Sequence, residues 1–259
     1  MNPDLSITAD VSESANALLK EPAKSVGGVG ATMIDFLHNS LLYPMQKYNI
    51  RMRANLEKYE KQLERGLESI PEEYVVESNM NILGQIMESL RWNFADNQKY
   101  IRDMFANLLL GDADSRMKNK VLPGYIDIVK QLSEQDALFL KDLRKKNSSN
   151  FVSTIELRWV KSNGDYLRIP NEHLILLVDS GEIMAPATEV LDNLERLKII
   201  NLHSGEYLTK DRAKCEAIFE ERRGKYPVPV GFKKTAFEQG KIDITDFGRG
   251  FLDICLRDD

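Results

Sequence analysis

Residues 101–138, IRDMFANLLLGDADSRMKNKVLPGYIDIVKQLSEQDAL, carry a helical pattern, an acidic break and a second helical pattern in close succession. Ile101, Phe105, Leu108 and Leu109 recur at steps of three and four, the spacing that lines one face of a helix. Gly111-Asp112-Ala113-Asp114-Ser115 reads as a stop signal, and Leu122-Pro123 restarts the chain ahead of Ile126, Val129 and Leu132. Ser133-Glu134-Gln135-Asp136 then opens a further helix. The Ser133 hydroxyl can accept from an orphan N–H, and Asp136 stands at the capping-box position. That role accounts for Asp136 without a catalytic one.

Towards the N-terminus the same periodicity continues. Pro71-Glu72-Glu73 predicts a helix opening, with carboxylates against the positive end of the helix dipole, and Ile82, Ile86, Leu90 and Phe94 supply a stripe to be buried. From Ala31 a longer helical region carries Ile34, Leu37, Leu41, Leu42, Met45, Tyr48, Met52, Leu56, Tyr59, Leu63 and Leu67, with Pro44 as a kink or a break. Charged residues fill the opposite face beyond Tyr48. Leu37, Leu41, Leu42, Met45 and Leu56 therefore mark either an assembly helix or, with Lys47, Arg51 and Arg53 near headgroups, a helix lying on a membrane. Residues 1–30 are small and polar and read as a flexible segment.

Towards the C-terminus, a polar hinge at 145–150 separates two characters of chain. Ile155, Leu157 and Trp159 alternate with charged residues, and Ser162-Asn163-Gly164-Asp165 before Tyr166-Leu167-Arg168-Ile169 is a hairpin signal. Helices are expected near 172–177 and over 186–198. Short strands are expected at 199–202, 207–208 and 241–244, and a closing helix over 246–256. The fold class predicted is mainly α, with a helical region over 31–147 followed by a smaller α+β, winged-helix-like region over 151–259.

Composition sets limits on function. The 259 residues are 42% hydrophobic and 29% charged with a net charge of −5, the balance of a globular chain. A mild acidic excess disfavours a protein whose task is to neutralise phosphates. The helix expected at 186–198 has an acidic excess of its own. Arg222, Arg223, Lys225, Lys233 and Lys234 form the strongest basic cluster, in a stretch read as an irregular loop that either is solvated or touches nucleic acid.

Cys215 and Cys255 are far apart and read as reduced core thiols of a cytoplasmic protein. His38, His173 and His203 have no metal-ligand spacing, and the glycines at 27–30 lack the Lys-Ser/Thr end of a phosphate loop. No catalytic residue, metal or cofactor is expected. The partner expected is another protein or a second copy of the chain. Peripheral membrane contact on activation is the alternative, nucleic acid is disfavoured, and no small-molecule substrate is indicated.

Several of these residues also resemble a bacterial family. Phe105-Ala106-Asn107-Leu108-Leu109 is similar to the helix core of the abortive infection alpha family. VLPGYIDIV at 121–129, with Pro123, resembles its helix entry, and Gln131-Leu132-Ser133 with Asp136-Ala137 resembles its following step. Leu194 to Ile199, then Ile244-Thr245-Asp246-Phe247-Gly248 and Phe251, are similar to its closing segment. Leu122 stands where that pattern has a histidine, so the resemblance supplies no imidazole chemistry there. The resemblance implies antiphage defence by abortive infection. The residues add a non-enzymatic interaction or assembly protein, with a DNA-binding regulator and a membrane-acting effector as alternatives.

Overall fold

The computed structural model describes residues 50–92, 98–146, 151–176 and 182–257. The chain divides into two compact units between Gln131 and Leu132.

In the first unit, α1 (Ile50–Glu68), α2 (Met80–Trp92) and α4 (Pro123–Gln131) all touch α3 (Lys99–Ala113). α1 contributes Tyr59, Leu63 and Leu67, one per turn along a single stripe, and α2 contributes Ile82, Leu83, Ile86, Met87 and Leu90. α3 is buried from several sides, and Met104, Phe105, Ala106, Leu108 and Leu109 are all fully shielded. Pro123 occupies the first position of α4, where the missing N–H costs nothing.

Pro71 opens only a short 3-10 turn over Glu72–Tyr74, and the chain then runs extended to α2. Val75 bridges Asp114, with Val76 N–H donating to the Ala113 carbonyl at 2.8 Å. The acidic break is thereby employed in the scaffold. Gly111 and Asp112 lie inside α3, and the Asp112 carboxylate accepts the Asn79 N–H at 2.6 Å just before α2. Asp114 takes a bidentate ion pair from Arg116, whose guanidinium lies 4.5 Å above the Tyr74 ring.

The second unit begins with α5 (Glu134–Lys146). The reciprocal cap read from the sequence is present: Ser133 N–H donates to Asp136 at 2.7 Å, and Asp136 N–H donates to the Ser133 hydroxyl at 3.1 Å. Asp136 also accepts from Asn193 at 2.9 Å, which ties α5 to α6 (Thr188–Arg196). The structure thus assigns the helix before the polar hinge to the C-terminal unit.

The core of this unit is an antiparallel sheet of five strands in the order β3-β2-β1-β5-β4. They are β1 (Phe151–Val160), β2 (Tyr166–Leu176), β3 (Ile183–Met184), β4 (Ile200–Ser204) and β5 (Lys234–Ile244). α7 (Arg212–Arg223) precedes β5 and α8 (Asp246–Cys255) follows it. One face of the sheet sets Ile155, Leu157, Leu174 and Leu176 against Cys215, Ile218 and Phe219 of α7. Most of the outer edge of β2 has no strand beside it among the described residues, and Pro170 there lacks the N–H another strand would need.

This architecture corrects the expected fold class. The C-terminal half is rich in sheet, so the chain is not mainly α with a winged helix. A winged helix has a small hairpin beside its recognition helix. Here β1, β2 and β5 are 10, 11 and 11 residues long and form the middle of one sheet. Where a helix is expected near 172–177, residues 172–176 are the end of β2, because an apolar run of that length suits a buried strand as well as a helix and pairing with β1 decides the matter. The short strand expected at 241–244 is the end of β5, and residues 207–208 form no strand. α7 is absent from the expected elements, although Cys215, Ile218 and Phe219 have helical spacing. Among the described residues no helix is long and apolar enough to cross a membrane.

Candidate functional site

Strand alternation places Thr154, Glu156 and Arg158 on the sheet face opposite α7. The register sets Glu156 beside His173 and Arg158 beside Arg168, with an irregularity between the two pairs that brings Arg168 and His173 around the same carboxylate. α6 adds Thr188, Asp192 and Glu195, and β4 and β5 add Ser204 and Glu238. With Thr154, Glu156, Arg168 and His173, these line an open cleft of about 340 Å³, and Arg158 lies behind Glu156.

Its floor is an ion-pair lattice. The buried Glu156 carboxylate accepts from Arg158 Nε at 2.5 Å and Arg168 Nε at 2.9 Å. Arg158, itself almost buried, also reaches Glu238 at 3.1 Å and the Ser204 hydroxyl at 3.3 Å, and its guanidinium lies 4.0 Å from the Tyr166 ring centre. Pairing of this kind is what allows a carboxylate and a guanidinium to remain charged away from water. Glu195 accepts the Leu202 N–H at 2.9 Å and so holds α6 to β4.

His173 also lines this cleft. Burial holds its imidazole below the usual value of 6.5, Glu156 and Asp192 oppose that shift, and Arg168 and Arg158 assist it. As the pH falls from neutrality the unfolded chain therefore takes up a proton before the folded one does. The stability His173 contributes is complete above 6.5 and is lost as the pH drops below it towards the depressed folded value. The urea midpoint of the wild type should accordingly fall more steeply below pH 6.5 than that of His173→Gln. Parallel pH dependences would show that the ring is not withheld from protonation.

The two cysteines are buried away from this cleft. Burial, followed by the nearby Asp211, pushes the Cys215 thiol up to about 11, and burial raises the Cys255 thiol well above its ordinary value. No group of three His, Cys, Asp or Glu among the described residues could hold a metal ion.

The family-signature, helix-stripe and basic-cluster residues do not gather at this cleft, whereas His173 and His203, which lack metal-ligand spacing in the sequence, both line it. Phe105, Ala106, Leu108, Leu109, Leu132 and Phe251 are core residues, and Asn107 is half-buried on α3. Pro123, Ser133, Asp136 and Thr245 begin helices: the Thr245 hydroxyl accepts the Gly248 N–H at 2.8 Å and donates to the Lys198 carbonyl at 2.6 Å. Phe247 is partly exposed on α8, and Gly248 touches the backbone of Ile199. Leu37, Leu41, Leu42 and Met45 lie outside the described residues, while Leu56 falls on α1.

Arg222 and Arg223 end α7 instead of lying in an irregular stretch, and both are paired, Arg222 with Glu172 at 3.3 Å and Arg223 with Glu220 at 2.8 Å. Lys225 and Lys233 lie in the connection to β5, and Lys234 begins that strand. Sequence reasoning misses the lattice itself. Its signal lies in TIELRWV, where Glu156 and Arg158 share the parity of Thr154, but the partners from β2 appear only once the register is fixed.

A helical unit followed by an α+β unit with a polar cleft defines a two-unit α+β protein. Residues 51–255 match the abortive infection alpha family, and the chain belongs to it. That membership supports a role in phage defence by abortive infection. No curated protein and no solved structure matches the chain.

Proposed function

We propose that the chain serves abortive infection as a non-enzymatic interaction protein whose C-terminal unit recognises a partner protein in the cleft between α6 and the sheet. The observation that carries this reading is the Glu156 lattice. A carboxylate clamped by two guanidinium groups is a poor general base, yet it presents fixed charges at a half-buried surface, as specific recognition requires. The outer nitrogens of Arg168, which is largely exposed, and the half-buried His173 are the groups a partner would meet first. Self-association belongs to the same reading, although Tyr59, Leu63 and Leu67 of the proposed assembly stripe are already buried within the protomer.

The test is phage plating combined with survival of infected cells. Cells carrying a Thr188→Arg/His173→Ala variant that melts like the wild type should be as sensitive to phage as cells without the protein. A folded cleft variant that protects fully would remove the cleft from the mechanism.

A further inference from the structure

The end of the sheet away from β4 carries a second surface, unlike the cleft. The register places Val160, Tyr166 and Lys234 side by side, so the β1–β2 turn and the connection from α7 to β5 meet there. Lys233 N–H donates to the Val160 carbonyl at 2.8 Å and fixes that meeting. The connection reads KYPVPVGFKK over 225–234. Phe232 N–H closes a tight turn onto the Pro229 carbonyl at 3.1 Å, with Gly231 at φ 91° in the region that favours glycine.

Val230 therefore sits at the apex of a turn stiffened by two prolines, and it is fully exposed. Val228 is 42% exposed, and Leu167, beside Trp159 on the strand pair below, is 52% exposed. Three cations of the connection are unspent, while Lys161 of the adjoining β1–β2 turn is paired with Asp165 at 4.0 Å and lies 5.7 Å from the Phe232 ring centre. Lys225, Lys233 and Lys234 have no ion-pair partner among the described residues, and no carboxylate occurs from 225 to 237. A tip of this kind opposes the charge of the whole chain, which is −5.

We propose that this tip docks on an anionic lipid surface, with Val230 and Val228 entering the boundary of the acyl chains and the three lysines resting among acidic headgroups. An apolar apex within a basic collar matches the order of a bilayer surface, in which apolar depth lies below negative charge. The aromatic residues speak against nucleic acid as the occupant. The Tyr226 hydroxyl is held by Glu172 and its ring packs on the α7 core, while Phe232 tilts against Trp159 at 6.3 Å. Neither ring is offered for base stacking, the half-exposed Tyr166 ring is already covered by the Arg158 guanidinium at 4.0 Å, and exposed valines contribute nothing to phosphate contact.

The full-length chain is to be sedimented with vesicles of phosphatidylglycerol and phosphatidylcholine, and with vesicles of phosphatidylcholine alone. Binding should require the anionic lipid and weaken as salt rises. At low salt, Lys225→Gln/Lys233→Gln/Lys234→Gln should reduce partitioning about 100-fold, and Val230→Ser about tenfold, both in proteins that melt like the wild type. The proposal is overturned if the wild type stays in solution at low salt, or if these substitutions leave binding unchanged. It is equally overturned if duplex DNA is bound in place of vesicles and Val230→Ser leaves that binding intact.

Discussion

Replacing Phe105 by alanine is expected to lower the stability of the helical unit by about 3–5 kcal/mol. The ring is fully shielded on α3, and its neighbours Met104, Ala106, Leu108 and Leu109 are equally closed to solvent. α3 is packed by α1, α2 and α4, so no single neighbour can swing in to fill the space without leaving another contact. A loss of that size is a large part of the stability of an ordinary domain, and phage protection should decline as the folded population does. Asn107→Ala, on the half-buried side of the same helix, is the control and should cost less. Urea unfolding of the two variants measures the difference. A wild-type midpoint for Phe105→Ala would mean that the signature segment carries no core.

That outcome bears on what kind of information the family pattern holds. Phe105, Leu108, Leu132 and Phe251 fill cores, Ser133 and Asp136 cap α5, and Thr245 caps α8. Such residues depend on spacing along one helix or on a cap of four residues, and both are written locally in the chain. For this reason the apolar stripes of the first unit's helices and the starts of α5 and α8 are legible in the amino-acid sequence alone, whereas the start of α2 is not, since Pro71 opens only a 3-10 turn. The sheet is not. EHLIL at 172–176 fits two periods, and its place in a strand depends on pairing with β1, which is a non-local event.

The cleft is illegible for the same reason. Glu156, Arg158, Arg168 and His173 come from two strands, and only the register, with its irregularity beyond Glu156, turns charges of ordinary appearance into a buried lattice. The basic cluster shows the converse. Five cations close together in sequence divide into two spent on ion pairs at the end of α7 and three that lie beyond it, a distinction set by the point at which α7 stops.

The other large effect is expected at Gly248, where alanine should cost about 3 kcal/mol, the upper part of the range for overpacking. A Cβ at this position would lie 2.1 Å from the Ile199 carbonyl oxygen and 2.9 Å from its carbon. Both are backbone atoms, so no rotamer change can relieve the contact. The Ile199 carbonyl cannot easily withdraw either, since it accepts the Thr245 N–H at 3.1 Å. The turn leading into it is fixed as well, with Ile199 N–H donating to the Leu194 carbonyl at 3.0 Å and Lys198 in the left-handed region at φ 60°.

Moving that carbonyl would therefore loosen the end of α6, the start of β4 and the cap of α8 together. Gly84→Ala is the comparison, since a Cβ there meets nothing within 4 Å in the interior of α2 and should add up to about 1 kcal/mol through helix propensity. Thermal melts of the two variants should consequently move in opposite directions. If Gly248→Ala melts with or above the wild type, the close approach of α8 to the chain entering β4 is wrong, and the packing that carries α6 over the cleft must be redrawn.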